Sequence, residues 1–309
     1  MPKTIRRRGR RLPEENGAMS NHERKKRPFF SVVIPTYERP DDLRKCLNGL
    51  KADKQPQSPP YEIIVTDDSR SDSARILVEK EFPNVSWGKG KQNGPAGNRN
   101  AGVERAKGDW IVFIDDDCIA QPDFLSAYAR AIKRDCDTLI FEGRIFTDRP
   151  RKTWAEGSPE NEKGGMFWTS NLCVNKKTFF DLGKFDERFQ IAYEDVDFAY
   201  RIKRKKLKTK FIYDASVCHP WRSLKGKKNW KRNGYEIESL LMFLKKHPSS
   251  VPEYGNPKVF LRNILRMLTH DAFVCIFKLK GRGISELVRQ FIVSISLCSI
   301  LATKSFKND

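Results

Sequence analysis

Short runs of large apolar residues alternate along this chain with stretches of helical spacing. The runs lie at 29–35, 61–66, 85–87 and 110–114, and they read as strands buried on both faces. Between the first two, Leu43, Leu47 and Leu50 recur at helical spacing within 41–51, with Asp41 and Asp42 near the positive end of that helix. A second helix is predicted over 73–82, and a third follows the loop Gly94-Pro-Ala-Gly-Asn-Arg-Asn-Ala-Gly102 and stops near Lys107-Gly108. Strand and helix in turn predict an α/β fold of successive βα units. Further on, 122–134 reads as a helix with Pro122 near its first turn, 138–146 as a strand, and 142–165 as a long polar loop of the kind that covers a site. A strand then follows within 164–174, with Trp168 and Asn171 at its start, and a helix starts at Glu194 and continues through Ile202. The end of the chain is helical in pattern over 229–246, 257–278 and 284–303.

Charge divides the chain differently. The formal net charge of +20 is concentrated before Pro28, over 203–210 and after Lys225, which calls for an anionic partner: a phosphorylated substrate, nucleic acid or an anionic membrane face. Residues 1–28 hold almost no apolar side chains and cannot fold alone, so they are read as a basic arm, with Met19 an alternative initiator. No apolar segment follows its arginines, so it is not read as a secretory signal. The seven cysteines are scattered without a Cys-x-x-Cys pair, which favours a reducing cytoplasm over a disulfide framework or thiolate zinc site. The expected division is an arm over 1–28, an α/β domain over 29–224 and a helical region over 225–309.

The chemistry centres on Trp110-Ile-Val-Phe-Ile-Asp-Asp-Asp-Cys118, where an apolar run meets three adjacent carboxylates. Ligands of open α/β sheets bind outside the carboxyl ends of strands, and adjacent carboxylates there repel unless they share a cation; a hard divalent ion with oxygen ligands suits them. The other reading is a solvated acidic loop. Asp68, at the end of the second strand, is either a helix cap or an acceptor for a ligand base edge. Arg99 in the glycine-rich loop offers a forked donor to a phosphate or carboxylate. Trp168 and Asn171 are candidates to face a sugar or acceptor, and Trp221 with Arg222 to close over phosphates.

Four motifs in this order and spacing, Ser31-Val-Val-Ile-Pro-Thr-Tyr, Glu62-Ile-Ile-Val-Thr-Asp-Asp-Ser, Gly97-Asn-Arg-Asn-Ala-Gly and Phe113-Ile-Asp-Asp-Asp, resemble the nucleotide-sugar half of family 2 glycosyltransferases. The resemblance spans about 29–219 and extends to bacterial surface-polysaccharide enzymes of the rhamnosyl- and galactosyltransferase type. It implies the GT-A fold, a mixed sheet flanked by helices, here with a C-terminal helical extension. It also implies that Pro35, Thr36, Tyr37, Glu38 and Asp68 hold the nucleoside, that Arg99 lies near the diphosphate with Asp115 and Asp116 in the donor site, and that Asp115 and Asp117 hold Mn2+ or Mg2+. The segment Tyr193-Glu-Asp-Val-Asp resembles the motif supplying the acceptor base in inverting members, which makes Asp195 the expected general base and Glu194 an orienting group. The resemblance likewise places His219 near the metal or diphosphate. Two departures stand out: Gly97-Asn-Arg replaces the commoner Ala-Arg-Asn after a glycine, and Asp67-Asp-Ser-Arg replaces Asp-Asp-Gly-Ser.

The expected function is therefore transfer of a sugar from a nucleoside-diphosphate donor to a saccharide or lipid-linked acceptor, in the cytoplasm or at the inner face of the membrane. One sugar per acceptor is favoured, because Gln-x-x-Arg-Trp and spanning helices are missing. The last helix is interrupted by Arg289 and Gln290, and its clean run falls short of the roughly 20 residues that cross a bilayer. With Arg262, Arg266, Lys278, Lys280 and Arg282, the C-terminal helices suit an anionic surface, the catalytic domain or a homodimer contact. Two rivals remain. A nucleotidyltransferase shares the acidic nucleotide site but has no use for a Glu-Asp base, and a nucleic-acid-binding protein, which the acidic centres disfavour, would grip phosphates through the arm.

Overall fold

The computed structural model describes residues 27–303, apart from the side chains of 227–230. The basic arm and the aromatic start of the 229–246 helix fall outside that description. Within it, β1 (Phe30–Thr36) pairs in parallel with β2 (Tyr61–Asp67) and β4 (Trp110–Phe113), and β2 with β3 (Ser86–Lys89). The register matters for function. Thr36 stands beside Asp67, and Val33 beside Phe113, so the residues after β4 emerge level with Pro35 and Thr36.

Antiparallel pairing completes the other half. β8 (Leu172–Asn175) runs against β4 and β6 (Ile140–Phe146), while β9 (Thr209–Cys218) lies parallel to β6 and against β5 (Ile119–Ala120). The eight-stranded order is β3-β2-β1-β4-β8-β6-β9-β5, a mixed sheet in which the strand after the carboxylates turns back on itself. Phe113 opposite Leu172 brings Ser170 to the end of β4.

Both faces of the sheet are covered. On one side α1 (Pro40–Gly49), α2 (Ser73–Glu81) and α4 (Phe124–Arg134) pack through Leu43, Leu47, Leu77 and Tyr128. On the other, α3 (Pro95–Arg105), α5 (Lys176–Asp181) and α6 (Glu194–Arg204) pack through Val103, Phe179 and Phe198 against Val33, Ile111 and Phe113. Full burial of β1 and β4 on two faces explains their unbroken apolar runs.

Beyond β10 (Arg222–Ser223), α7 (Lys227–Lys246) packs Leu240, Phe243 and Leu244 on Phe189 and Tyr200. A short α8 (Val251–Tyr254) leads to α9 (Pro257–Arg266) and, after a hairpin, α10 (Ile284–Thr303). The expected helix over 257–278 ends as an α-helix at Arg266 and continues as two wide turns at Met267–Asp271 and Val274–Lys278. The polar stretch expected over 142–165 is also more ordered. Its first residues belong to β6, and β7 (Glu156–Gly157) pairs with β10. Trp154 from this loop is buried with Met267, Cys275 and Leu287, and its backbone N–H donates to Arg282 O. A large aromatic anchors the loop to the hairpin.

One expectation about the last helix needs correction. α10 has 20 residues, and an 18-residue stretch of it has a mean hydropathy of 1.6, so by length and composition it is able to cross a membrane. The charges that seemed to interrupt it are turned inward, with Arg289 paired to Glu286 in a buried ion pair.

Candidate active site

Each acidic residue after β4 has a different set of partners. Asp115 accepts from Arg99 Nη2 at 2.6 Å and Ser170 Oγ at 2.7 Å. Burial disfavours its charge, but the Arg99 cation and these hydrogen bonds outweigh it and hold the carboxyl below its usual range. Asp116 accepts from Thr36 Oγ1 at 2.8 Å and Arg39 Nη1 at 3.2 Å; burial wins there, and its carboxyl is pushed up. Asp117 is paired with Arg222, lies 3.8 Å from Arg39, and has His219 Nε2 at 3.5 Å from its Oδ1.

His219 sets the chemistry on that side. Its Nδ1 is 3.0 Å from Pro220 O and 3.0 Å from Ser158 Oγ, and a carbonyl only accepts, so Nδ1 carries the proton. Nε2 is the ring atom left to face an oxygen of the Asp117 carboxylate, and the Nδ1–H tautomer offers a lone pair there. Two acceptors so placed are what a cation joins. Asp117, Cys118 and His219 place one ligand atom each within 4.8 Å of one another. Burial and the Asp115 charge keep the Cys118 thiol protonated, so Asp117 and His219 are the fitting donors for a hard divalent ion. Asp115 lies outside that group.

The first loops build the neighbouring wall. Glu38, in a left-handed conformation at φ 52°, accepts from Arg70 N at 2.8 Å and from Ser71 Oγ at 2.6 Å, which lowers its carboxyl and joins the β1 and β2 loops. Tyr37 is exposed, beside Pro35 and Thr36, which are buried. Asp68 accepts from Gln92 N at 2.9 Å, and burial raises its carboxyl. It caps nothing: the helix cap before α2 is Asp72. Gly94, at φ 93°, cannot carry a side chain, because a Cβ would collide with Gln190 O.

Arg99 joins the two acidic centres. Its Nη1 donates to Glu194 at 2.9 Å, while its Nη2 holds Asp115. Glu194 Oε2 is buried without a hydrogen-bond partner. Asp195 is partly buried, accepts from Val196 N at 2.8 Å, and is pushed up to about 7 by burial and by the adjacent Glu194 charge. Tyr193 precedes them in the left-handed region at φ 75°, a strained backbone that aims the pair out of the helix start. Two residues on, Asp197 is fully buried and takes Arg201 at 2.7 Å, Lys246 at 2.6 Å and His247 at 2.8 Å, tying α6 to the end of α7.

A cavity of about 750 Å³ brings part of this set together, while residues 35–39, Asp68, Asp116 and Asp117 are not in its lining. Asp115, Arg99, Glu194, Asp195, His219 and Arg222 line it, as does Trp168. Two expected acceptor-side residues do not. Asn171 is turned into the core, where its amide accepts from Tyr128 Oη at 2.5 Å and donates to Arg144 O and Ala215 O. Trp221 donates its indole N–H to Arg149 O at 2.7 Å, away from the cavity. Sequence reasoning missed Ser170, Ser158 and Arg39, none of which carries a motif; the position of Ser170 just before β8, opposite β4, is the one signal that pointed to it.

The sequence profile of Glycosyl transferase family 2 matches residues 31–204. The chain belongs to family 2 of the glycosyltransferases. This family 2 chain is 27% identical over 208 residues to glycosyltransferase AglE of Haloferax volcanii, across 63% of this chain and 68% of that one. It is 33% identical over 171 residues to the GalNAc(5)-diNAcBac-PP-undecaprenol beta-1,3-glucosyltransferase of Campylobacter jejuni, across 52% of this chain and 50% of that relative. In fold it is similar to the mannosyltransferase PcManGT of Pyrobaculum calidifontis in complex with GDP-Man and Mn2+, at TM-score 0.57 and 15% identity over 90% of this chain and 87% of that one. Staphylococcus aureus TarS in complex with UDP-GlcNAc gives 0.54 and 15%, over 88% of each chain. The expected GT-A architecture holds, and the family 2 enzyme transfers a sugar from a nucleotide-diphospho-sugar.

Proposed function

We propose that this enzyme is an inverting transferase in which Asp195 takes the proton of the acceptor hydroxyl. The observation that carries it is the single cavity lined by the donor-side Asp115, His219 and Arg222 and by Glu194 and Asp195. The base and the leaving group's site face one space.

Asp117 and His219 are the residues to hold Mn2+ or Mg2+, which, when bound, neutralises charge on the departing diphosphate. The chain's own cations contribute to the same end: Arg222 and Arg39 flank Asp117, and Arg99 keeps Asp115 ionised beside them. Pro35, Thr36, Tyr37, Glu38 and Asp68 form the nucleoside wall. Asp195, once deprotonated, removes the hydroxyl proton as that oxygen attacks the anomeric carbon, opposite the leaving group. No covalent enzyme intermediate is required. Glu194 orients the acceptor through its unpartnered Oε2, fixed by the bond of its other oxygen to Arg99. The acceptor is a saccharide or a lipid-linked saccharide, and α10 supports a peripheral position at the inner membrane face.

Calorimetric titration with UDP, dTDP and GDP, each with and without Mn2+ or Mg2+, tests the donor side. Metal-dependent binding of one base is expected. NMR of the product tests the chemistry, and retention of the donor's anomeric configuration would exclude the single displacement.

A further inference from the structure

The outer wall of the cavity has no part in donor chemistry. It is built by the C-terminal helices, with Arg232 and Asn233 from α7, Arg266 and Met267 at the end of α9, and Val293 and Ser294 from α10. Arg232 and Arg266 keep 57% and 65% of their side chains in solvent, each with one carboxylate close by, Glu236 at 2.8 Å and Asp271 at 3.6 Å. A guanidinium carries five donors, more than one carboxylate takes up, so both can serve an anion entering between them. The surrounding charge is favourable, since sixteen Lys and Arg face six Asp and Glu from 225 onward.

Next to this basic wall lies hydrocarbon. Leu261, Leu265 and Leu268 recur at helical spacing and are 58–61% exposed, and Ile284, Val288, Ile292 and Ile295 of α10 are 42–51% exposed. The polar groups of α10 point the other way. Glu286 and Arg289 are buried as a pair, and Gln290 accepts from the Trp154 indole at 3.2 Å. A helix with charges toward the protein and an apolar ridge toward solvent inverts the usual surface pattern. The exposed hairpin tip, with Lys278, Lys280 and Arg282 between Phe277 and Ile284, adds the basic rim of an interfacial element.

We infer that this wall is the acceptor subsite for a saccharide carried on a phosphate-bearing lipid, with the phosphate between Arg232 and Arg266, the lipid chain along the ridges of α9 and α10, and a saccharide hydroxyl in the cavity that Asp195 also lines. This rests on the Asp195 reading for its last element only. A forked cation selects phosphate, and the ridge beside it selects hydrocarbon; a water-soluble saccharide needs neither.

The test is flotation of the full chain with phosphatidylcholine vesicles carrying a small fraction of polyprenyl phosphate, against plain vesicles and vesicles matched in charge with phosphatidylglycerol. Preference for the polyprenyl phosphate is expected, with binding reduced roughly tenfold in Arg232→Gln and again in Arg266→Gln, since each loses a charged hydrogen bond. Nucleoside-diphosphate titration of both variants should match the wild type, which separates this subsite from the donor site. Equal binding to phosphatidylglycerol vesicles, unaffected by either substitution, would overturn the proposal in favour of a general anionic contact. Absence of vesicle binding, with a dimer by sedimentation that Val288→Glu disrupts, would assign the ridge to a second copy. Failure of the wild type to bind any nucleoside diphosphate would count against the donor reading instead.

Discussion

Asp195→Asn separates the chemical from the structural role of the proposed base. The amide is isosteric and keeps the oxygen that accepts from Val196 N, so the helix start is preserved. Turnover should fall at least about a hundredfold, the usual loss when a general base is removed. Stability should move the opposite way. The carboxyl is raised from 3.8 to about 7 in the folded protein, so the folded state holds a proton that the unfolded chain releases near its ordinary value. That contribution is fully present below the unfolded value and is lost as pH rises through about 7. About three units correspond to an upper bound of ~4 kcal/mol, and water in the cavity screens this to roughly 1–2 kcal/mol. Asn cannot ionise, so the variant should be more stable than wild type at pH 8 by about 2–3 °C in melting temperature, with the gap closing toward pH 4. Scanning calorimetry at both pH values reads the gap, and a wild-type rate profile should decline as pH falls through about 7. Near-normal turnover of the variant, or an identical melting difference at both pH values, would refute the reasoning.

Other substitutions probe the remaining assignments. Asp117→Ala should remove the metal-dependent part of nucleoside-diphosphate binding, leaving titrations with and without Mn2+ superimposable. Arg99→Ala strands the partly buried Asp115 and the buried Glu194 without their cation and should cost about 3–5 kcal/mol in urea unfolding. Tyr128→Phe leaves Asn171 Oδ1 unpaired in the core and should cost about 1–3 kcal/mol while turnover per folded molecule is retained, as a structural Asn171 requires.

The sheet was legible because its central strands are buried on both faces and their apolar runs end where the carboxylates begin. The first three βα units carry this signal most clearly, and α10 matched its expected bounds, Ile284–Thr303. Long-range pairing was not legible. Ser170 reaches Asp115 only because β8 runs antiparallel to β4, and Ser158 reaches His219 through a loop fastened by Trp154; neither contact has a local pattern. Asn171 misled for the related reason that a polar residue at a strand start reads alike whether it faces a cavity or satisfies buried carbonyls. The charges in α10 hid its amphipathic character, since spacing alone does not show that Glu286 and Arg289 neutralise each other inside.

The three cations around Asp197 bear on what counts as the smallest working piece of this enzyme. The segment that matches the family stops at residue 204, and a protein engineer cutting there would keep Arg201 but discard Lys246 and His247. The excised piece would leave Asp197 Oδ1 without either of its cations, two residues from the proposed base, and the apolar faces of Phe189 and Tyr200 would lie open. Modularity in the family pattern is therefore not modularity in the molecule. α7 belongs to the catalytic machine as a buttress, and grafts that exchange C-terminal regions between relatives must carry a matching cation to this position.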